Sequence, residues 1–402
     1  MTIKSLVLAT ILPLFAAYSM EQQPLGLANL GSSCFMNASL QTFFSMDKLT
    51  ELILTYEDMY KKESFATSYS ELLKNKIQQG KIDPSKLEVV CLQGWDLLGA
   101  SLYTQEDAGE FLQKALERLV YTDIKDTIRK DLPQDSHRQP ITELSELLSV
   151  KLSSQLVVPS ENYVGKKKEI SSLTLTVPFK PSDYTLYQCL TDFFTPEQVL
   201  YRVNYKEASD GKKTTRIEEL GNYVIIQLKR STYSAMNELV KNQNPLSFPL
   251  KGLTFTEYSS DPSKNTKPYD LKAFILHHGE KGSGGHYTAY VRYLSQWYRC
   301  NDTAVTPVPT STVETIVQVG YDNEEMVVPT TLIYELSSST SSLREVKAEP
   351  YQQPYQPSSQ STYQPSPYPS APRRHIVMQK PYHGAPPEAW KAYNEWLQTQ
   401  KK

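Results

Sequence analysis

Hydrophobic and polar residues follow two different periods along this chain. After Cys34, apolar residues recur at the three- and four-residue spacing of an α-helix, and similar spacing continues to about residue 130. From Ile170 onward, apolar and polar residues alternate instead, and residues 223–228 form an apolar run of strand length. Helices followed by strands predict an α+β fold with a multi-stranded, antiparallel sheet.

Segment 101–120 is predicted to be an amphipathic helix. Its buried stripe consists of Phe111, Leu112, Ala115, Leu116 and Leu119. We expect Thr104 to cap the N-terminus of this helix, with Asp107 in the first turn. Acidic side chains at this end offset the helix dipole, and the local pattern alone assigns that role to Asp107 and Glu110.

The two ends of the chain differ from its middle. Lys4, the apolar run 6–17 and the small residue Ser19 match a secretory signal peptide of residues 1–19, with a buried helix or an uncleaved anchor as alternatives. The run is short for a membrane span, so no stable membrane anchor is expected. Residues 337–385, rich in Tyr, Gln, Pro and Ser, are predicted to be disordered. Residues 386–402 are predicted to form a short helix that either docks on an unknown partner or frays.

Composition argues against several classes of protein. The 402 residues carry a formal net charge of −2, so the chain lacks the overall basic character of a nucleic-acid-binding protein. Its four cysteines are far apart and form no CxxC or CxxH pair, which argues against a compact zinc site and against a disulfide scaffold. We therefore expect no metal and no cofactor. We also expect a monomer.

The stretch from Gly26 to Met46 places a cysteine where it can act as a nucleophile. A Gly/Ser turn delivers Cys34 to the first turn of an apolar helix, where free N–H groups lower the pKa of a thiol. The backbone N–H of Cys34 and the side-chain amide of Asn29 could stabilise an oxyanion beside it. The alternative is that Cys34 is a small buried hydrophobic residue at a helix start.

A histidine flanked by glycine supplies a candidate base. His286 begins a strand after a glycine-rich loop, and the neighbouring strand ends at Asn301 and Asp302, so a hairpin would bring either side chain next to the imidazole. His277 and His278, at the other end of the loop, compete for the role of base. With the cysteine on the helical side and the histidine on the sheet side, this is the layout of a papain-like cysteine hydrolase.

Two long motifs resemble those of the ubiquitin-specific proteases. GLANLGSSCFMNASLQTFF, which begins at Gly26, is similar to their cysteine box, and YDLKAFILHHGEKGSGGHYTAYVRYLSQWYRCNDTAVTPV, which begins at Tyr269, resembles their histidine box. QEDAGEFLQKALERL, LGNYVIIQLKR and TTLIYEL resemble shorter segments of the family, and all five segments occur in the family's order. The resemblance spans residues 24–336.

This resemblance implies a catalytic domain shaped like a right hand. It would be a papain-like cysteine protease of the ubiquitin-specific type, with a helical thumb, a β palm and β fingers over residues 24–336. The implied reaction is hydrolysis of the isopeptide or peptide bond after the C-terminal glycine of ubiquitin. Ubiquitin and ubiquitinated proteins would then be the partners.

The resemblance also assigns roles to individual catalytic residues. By position in the motifs, Cys34 is the nucleophile, His286 the base and Asn301 the third member of the triad. Asp302 is the adjacent acid that supports or polarises the site, and Asn29 falls on the oxyanion-hole position.

Further residues are implied to contact the substrate. They are Gln105, Asp107, Glu110, Gly284, Gly285 and Tyr287. Asp107 and Glu110 fall on acids that receive the arginines of the ubiquitin tail, and the two glycines line a channel that only residues without side chains can pass.

The sequence departs from the family at a few positions. Ser32 and Ser33 replace the usual Asn-Thr before the cysteine, and Phe35 replaces a tyrosine. The segments that correspond to the fingers contain no cysteine, so a zinc ion there is predicted to be absent. Two alternatives to a deubiquitinase remain open: a catalytically weak ubiquitin-binding module, and a protease for a ubiquitin-like modifier.

The leader and the two motifs together suggest where the enzyme would act. Ubiquitin chemistry is intracellular in eukaryotes, whereas the predicted signal peptide indicates export. Both expectations are met by a secreted effector of an intracellular microbe that enters the host cytoplasm and acts on host ubiquitin conjugates.

Overall fold

The described part of the chain has a helical first half and a sheet-rich second half. The computed structural model describes residues 23–123, 138–180, 185–203, 207–233, 239–279, 284–322 and 325–337. The predicted signal peptide, the Tyr/Gln/Pro-rich tail beyond residue 337 and the predicted C-terminal helix lie outside the described residues.

The helical half is built from α1 to α5. Their bounds are Cys34–Ser45, Asp47–Thr55, Phe65–Gln79, Pro84–Leu98 and Ala108–Val120. Local capping signals fix both ends of α3 and α4. The side chains of Ser64 and Asp83 accept backbone N–H hydrogen bonds at the two starts, and Gly80 and Gly99 end the two helices in the left-handed conformation.

Helix α1 is buried along its whole length. It packs against α5 and against strands β12 (Tyr269–His278) and β13 (His286–Tyr293). Because the helix is enclosed, its polar side chains must find partners inside the protein. Ser39, for example, donates from its hydroxyl to the carbonyl of Phe35 at 2.9 Å.

Helix α5 begins later than the sequence predicts. The expected N-cap, Thr104, is wrong: Asp107 is the N-cap, and its carboxylate accepts a hydrogen bond from the N–H of Glu110 at 2.9 Å. The indole N–H of Trp95 donates to the carbonyl of Thr104 at 2.8 Å, and Tyr103 has a φ of +65°. These two features hold the preceding segment outside the helix.

The main sheet is formed by strands from residue 175 onward. Strands β6, β9 and β12 to β17 run Leu175–Pro178, Tyr223–Lys229, Tyr269–His278, His286–Tyr293, Gln296–Asn301, Ala304–Val308, Tyr321–Asp322 and Glu325–Leu336. Their order is β15–β14–β13–β12–β17–β9–β6, and β16 pairs with β17. Neighbouring strands are antiparallel, as predicted, except that β6 and β9 are parallel.

A second sheet extends from the main one. Strands β3, β4, β5, β7 and β8 run Val150–Val158, Tyr163–Val164, Lys168–Ser172, Glu197–Arg202 and Ala208–Leu220. Their order is β4–β3–β8–β7, with β5 also on β3. Two short hairpins are formed by β1 with β2 and by β10 with β11, over Tyr121–Asp123, Arg138–Pro140, Ser231–Tyr233 and Leu239–Lys241. The remaining helices of the described chain, α6 to α8, are Thr142–Leu148, Leu186–Phe194 and Thr310–Val319.

The main sheet is buried on both faces. In β12, Ala273 and Ile275 pack into a core shared with α1 to α5, whereas Phe274 and Leu276 pack into a second core with α7 and α8. Burial on two faces explains why such strands read as continuous apolar runs. Among the described helices, none is long and apolar enough to cross a bilayer.

A buried carboxylate links the strands that carry the histidine motif. Asp322 is 3% exposed and accepts hydrogen bonds from the Tyr290 hydroxyl at 2.9 Å and from Arg299 Nε at 2.8 Å. These three residues lie on β16, β13 and β14. The carboxylate therefore ties the hairpin of the main sheet to the neighbouring short strand.

We expect Asp322→Ala to lower the free energy of unfolding by about 3 kcal/mol, because it leaves a guanidinium and a phenol without their buried partner. Urea unfolding of the full chain at pH 7 measures this. Glu219→Ala is the matched control, since Glu219 pairs with Lys151 at an exposed site and should change stability by less than about 1 kcal/mol. Equal effects of the two variants would contradict the structural role of Asp322.

Candidate active site

The loop before Cys34 lies against the turn that follows β14. The N–H of Leu27 donates to the carbonyl of Asp302 at 2.9 Å. A Cβ atom on Gly26 would come within 2.2 Å of the carbonyl oxygen of Thr303. Glycine is therefore required at this position, because any side chain would force the two backbones apart.

Asn29 and Ser33 shape the last turn of this loop. The side-chain oxygen of Asn29 accepts a hydrogen bond from the N–H of Ser33 at 3.1 Å, and the Ser33 hydroxyl accepts one from the N–H of Leu30 at 2.9 Å. Ser32 takes a left-handed φ of +65°. Of the two serines that depart from the family pattern, Ser33 takes part in the hydrogen bonding of the loop and Ser32 forms its left-handed turn.

Asp302 connects this loop to helix α1. One carboxylate oxygen accepts from Asn29 Nδ2 at 2.9 Å, and the other accepts from Asn37 Nδ2 at 2.7 Å. Sequence reasoning gave Asn37 no role. The signal in the sequence that could have identified Asn37 is its polar side chain within a helix that is otherwise rich in apolar residues.

Cys34 and His286 meet between the two halves of the protein. Cys34 is the first residue of α1 and is 3% exposed, and half-buried His286 is the first residue of β13. Asn301, at the end of β14, accepts a hydrogen bond from His286 Nε2 at 2.6 Å. The predicted hairpin contact between His286 and Asn301 is confirmed. Because Nε2 of His286 bonds to Asn301, the other ring nitrogen, Nδ1, is the one available to the thiol of Cys34.

The surroundings of His286 favour its charged form. The side-chain hydrogen bond with Cys34, the hydrogen bond to Asn301 and the negative charge of Asp302 raise the pKa of His286 to about 9, although burial opposes the shift. His286 therefore holds a proton at neutral pH. A cysteine paired with such an imidazolium is the arrangement of an activated thiol nucleophile.

The other two histidines of the motif are engaged differently. His277 contacts the carbonyl of Gly284 through Nε2 at 3.2 Å and Lys241 through Nδ1, and His278 Nε2 contacts the hydroxyl of Thr288 at 2.9 Å. Burial and the nearby Lys241 lower the pKa of His277 to about 4, so this imidazole is neutral. The geometry favours His286 as the base.

The glycine turn beside His286 has positive φ angles and is held by polar contacts. Gly284 and Gly285 have φ values of +86° and +129°, and a Cβ on Gly285 would lie 2.3 Å from the carbonyl oxygen of His278. Gln105 Nε2 donates to the carbonyl of Gly285 at 2.6 Å. Gln105 and the two glycines, all predicted to contact substrate, are thus brought together by the fold.

The two predicted acids lie at the start of α5. Asp107 caps the helix, whereas the local pattern had placed it in the first turn, and the hydroxyl of Tyr287 donates to its second carboxylate oxygen at 3.5 Å. The side chain of Glu110 is 54% exposed and pairs with Lys114 at 2.9 Å. Tyr287 itself is 6% exposed. Contacts of these residues with substrate remain predictions.

Clusters of potential metal ligands are absent from the part of the chain that the structure describes. No group of three or more His, Cys, Asp and Glu side chains there is arranged to hold a metal ion. The four cysteines are all free and buried.

Known proteins similar to this chain are hydrolases of one family. The family model for ubiquitin carboxyl-terminal hydrolase matches residues 25–340. Probable ubiquitin carboxyl-terminal hydrolase 3 of Schizosaccharomyces pombe is 26% identical over 357 residues, which cover 73% of this chain and 69% of that protein. Ubiquitin carboxyl-terminal hydrolase 12 of Salmo salar is 24% identical over 327 residues, with 74% of this chain and 85% of the relative covered.

Solved structures share the fold. A SAGA DUB module of Ubp8, Sgf11, Sus1 and Sgf73 bound to monoubiquitin contains a chain that superposes with a TM-score of 0.63 at 21% identity, covering 83% of this chain and 75% of the other. The module bound to ubiquitin aldehyde gives 0.62 at 20% identity. This likeness confirms the predicted α+β fold of the ubiquitin-specific protease type. The family match extends over most of the chain, which therefore belongs to the ubiquitin carboxyl-terminal hydrolase family and is a cysteine-type deubiquitinase.

Proposed function

We propose that this enzyme hydrolyses the isopeptide or peptide bond after the C-terminal glycine of ubiquitin. The observation that carries the proposal is the hydrogen-bonded arrangement of Cys34, His286 and Asn301 next to the glycine turn 284–285. A nucleophile, an acid–base group and an orienting group are the parts that acyl transfer requires.

The first step is attack by sulfur on the terminal carbonyl of ubiquitin. As the C–S bond forms between Cys34 Sγ and this carbon, the carbonyl oxygen takes up the negative charge. The backbone N–H of Cys34 and one N–H of the Asn29 amide are the proposed donors to that oxygen. The other N–H of Asn29 donates to Asp302, which orients the amide.

His286 moves the protons in both halves of the reaction. It gives its proton to the leaving amine as the C–N bond breaks, which leaves a thioester on Cys34. The neutral imidazole then takes a proton from water as the water attacks the thioester. Breaking the C–S bond releases the C-terminus of ubiquitin, whose new carboxyl group loses its proton to solvent, and regenerates the thiolate of Cys34 paired with the imidazolium of His286.

The surroundings of the glycine turn suit a tail that ends in Gly-Gly. Gly285 cannot carry a side chain, because its Cβ would overlap the carbonyl oxygen of His278, and Gln105 holds the carbonyl of Gly285 itself, so the turn presents bare backbone to a glycine tail. The carboxylates of Asp107 and Glu110 lie at one helix start and suit the arginines of the ubiquitin tail. This charge favours ubiquitin over a ubiquitin-like modifier whose tail lacks arginine.

We further propose that the enzyme is exported and acts on ubiquitin conjugates of a host cell. The support is the sequence of residues 1–19, where a lysine, an apolar run and small residues occur in the order of a secretory signal. Enzymes that cleave ubiquitin conjugates need access to a eukaryotic cytoplasm. Export by an intracellular microbe would provide that access.

Ubiquitin carrying a C-terminal electrophile should label the wild-type chain, and Cys34→Ala should abolish labelling because it removes the attacking sulfur. A mass shift of one ubiquitin in the intact protein measures this. Cys91→Ala is the matched control and should label normally, since burial raises the pKa of the Cys91 thiol to about 12 and keeps it protonated.

Two results would contradict the proposed substrate. If neither variant nor wild type is labelled but ubiquitin still binds, the chain is a binding module. If the wild type reacts only with an electrophile on a ubiquitin-like modifier, the acids at α5 do not select ubiquitin.

The pH dependence of kcat/KM should report the proton on His286. Because the leaving amine needs that proton, activity is retained below the His286 pKa of about 9 and falls as pH rises through it. Asn301→Ala removes a hydrogen bond that raises this pKa, so the alkaline limb should move to lower pH, and kcat should fall by roughly 10²-fold. Steady-state cleavage of a fluorogenic ubiquitin amide gives both values.

The exposed strand residue Gln198 provides the control for this profile, because Gln198→Ala should leave both the limb and kcat unchanged. An Asn301→Ala enzyme with an unshifted alkaline limb would rule out Asn301 as the group that supports the charge on His286.

Export predicts a specific N-terminus. Protein recovered from the medium of the producing cells should begin at Met20, and Leu8→Arg, which interrupts the apolar run, should keep the chain inside the cells. N-terminal peptide mass spectrometry distinguishes the two forms. Mature protein that stays inside the cells with residues 1–19 intact would rule out export.

A further inference from the structure

Lys241 is a half-buried cation that lies outside the reacting groups. It is the last residue of β11, and its ammonium contacts Nδ1 of His277 and donates to the carbonyl of Gly279 at 3.2 Å. Burial and the neighbouring charge of Arg230 lower its pKa to about 8, although the charge of Asp107 opposes the shift. Partial burial of the Lys241 ammonium costs desolvation free energy, which its contacts with His277 and Gly279 offset.

The contacts of Lys241 set the tautomer of His277. An ammonium group can only donate hydrogen bonds, so Nδ1 of His277 must accept. A neutral imidazole that accepts at Nδ1 carries its proton at Nε2, and Nε2 lies 3.2 Å from the carbonyl of Gly284. His277 therefore donates to the carbonyl of Gly284, and Lys241, by occupying Nδ1, favours the tautomer that makes this hydrogen bond.

The next carbonyl of the turn is held by a different element. Gln105, which precedes α5, donates to the carbonyl of Gly285 at 2.6 Å. The ring of His277 also lies edge-on to Tyr287, with 4.6 Å between the ring centres. Two consecutive glycine carbonyls are thus held by donors from the helical half and from the sheet.

We propose that Lys241 is a positioning residue for the ubiquitin tail. It acts through His277, which holds the carbonyl of Gly284 and so fixes the wall of the passage that the Gly-Gly tail enters. The inference rests on the proposed function, because it assigns a role in binding that substrate. Lys241 does not touch the reacting atoms, so its loss should weaken binding of the tail and spare the chemical step.

Lys241→Met keeps the aliphatic stem and removes the donor. In the full-length enzyme it should raise KM for a fluorogenic ubiquitin amide about tenfold, the value of one hydrogen bond to a charged group, and change kcat less than about twofold. The rate at which iodoacetamide alkylates Cys34 should stay at the wild-type value, since Cys34 and His286 are intact.

Two His277 variants test whether Lys241 acts through the imidazole. His277→Gln retains an acceptor for Lys241 and a donor for Gly284, so its KM should stay within about threefold of wild type. His277→Leu should raise KM about as much as Lys241→Met. The double variant Lys241→Met with His277→Leu should have a KM no higher than either single variant, because each substitution alone already removes the link from Lys241 through His277 to Gly284.

Three results would overturn the inference. They are an unchanged KM in Lys241→Met, a fall in kcat with slower alkylation of Cys34, and additive effects of the two substitutions. Circular dichroism and the unfolding midpoint confirm that each variant is folded. Failure of the proposed function itself looks different, because the wild-type enzyme would then cleave no ubiquitin amide.

Discussion

The carboxylate of Asp302 joins the two halves of the protein at the point where they form the site. One oxygen accepts from Asn29 in the loop before the nucleophile, and the other accepts from Asn37 in the helix that Cys34 begins. Hydrogen bonds to an ionised acceptor are stronger than neutral ones, and leaving the buried amide of Asn37 without this partner would be costly. Asp302 directly follows Asn301, so the same turn orients the base and fixes the position of the nucleophile.

Two close approaches of backbone complete this framework. Gly26 lies against the carbonyl of Thr303 on one side of the site, and Gly285 lies against the carbonyl of His278 on the other. In both places a Cβ atom would overlap a carbonyl oxygen. The loop before α1 is therefore held against the turn after β14, and Gly285 against the end of β12, by contacts between main-chain atoms, while side chains supply the direction of the hydrogen bonds. Flexible side chains alone would not hold a nucleophile and a base in register.

Histidines of one motif acquire opposite properties from their neighbours. Contact with Cys34 raises the pKa of His286 to about 9, whereas burial beside Lys241 lowers that of His277 to about 4. The imidazole of His286 is charged and holds a proton for the reaction. The imidazole of His277 is neutral and donates a hydrogen bond to the carbonyl of Gly284 in the glycine turn. The sequence leaves His277, His278 and His286 as alternatives because residue type alone does not define the environment of each ring.

The sequence by itself determined the features that depend on local periodicity. The helix that begins at Cys34, the alternating strands and the pairing of His286 with Asn301 across a hairpin all follow from spacing over short distances. Local pattern also assigned Asp107 to the start of its helix, but misplaced the N-cap at Thr104.

Only the tertiary structure decided the contacts between distant segments. Asn37 and Asp302 are 265 residues apart, and Lys241 and His277 are 36 apart. Such pairs leave no periodic signal in the chain, because each depends on where two separately formed elements pack. The same reason explains the misplaced cap, since the indole of Trp95 holds the segment before α5 out of the helix. Local hydrophobic pattern thus fixed the elements, and long-range packing fixed the polar partners of the site.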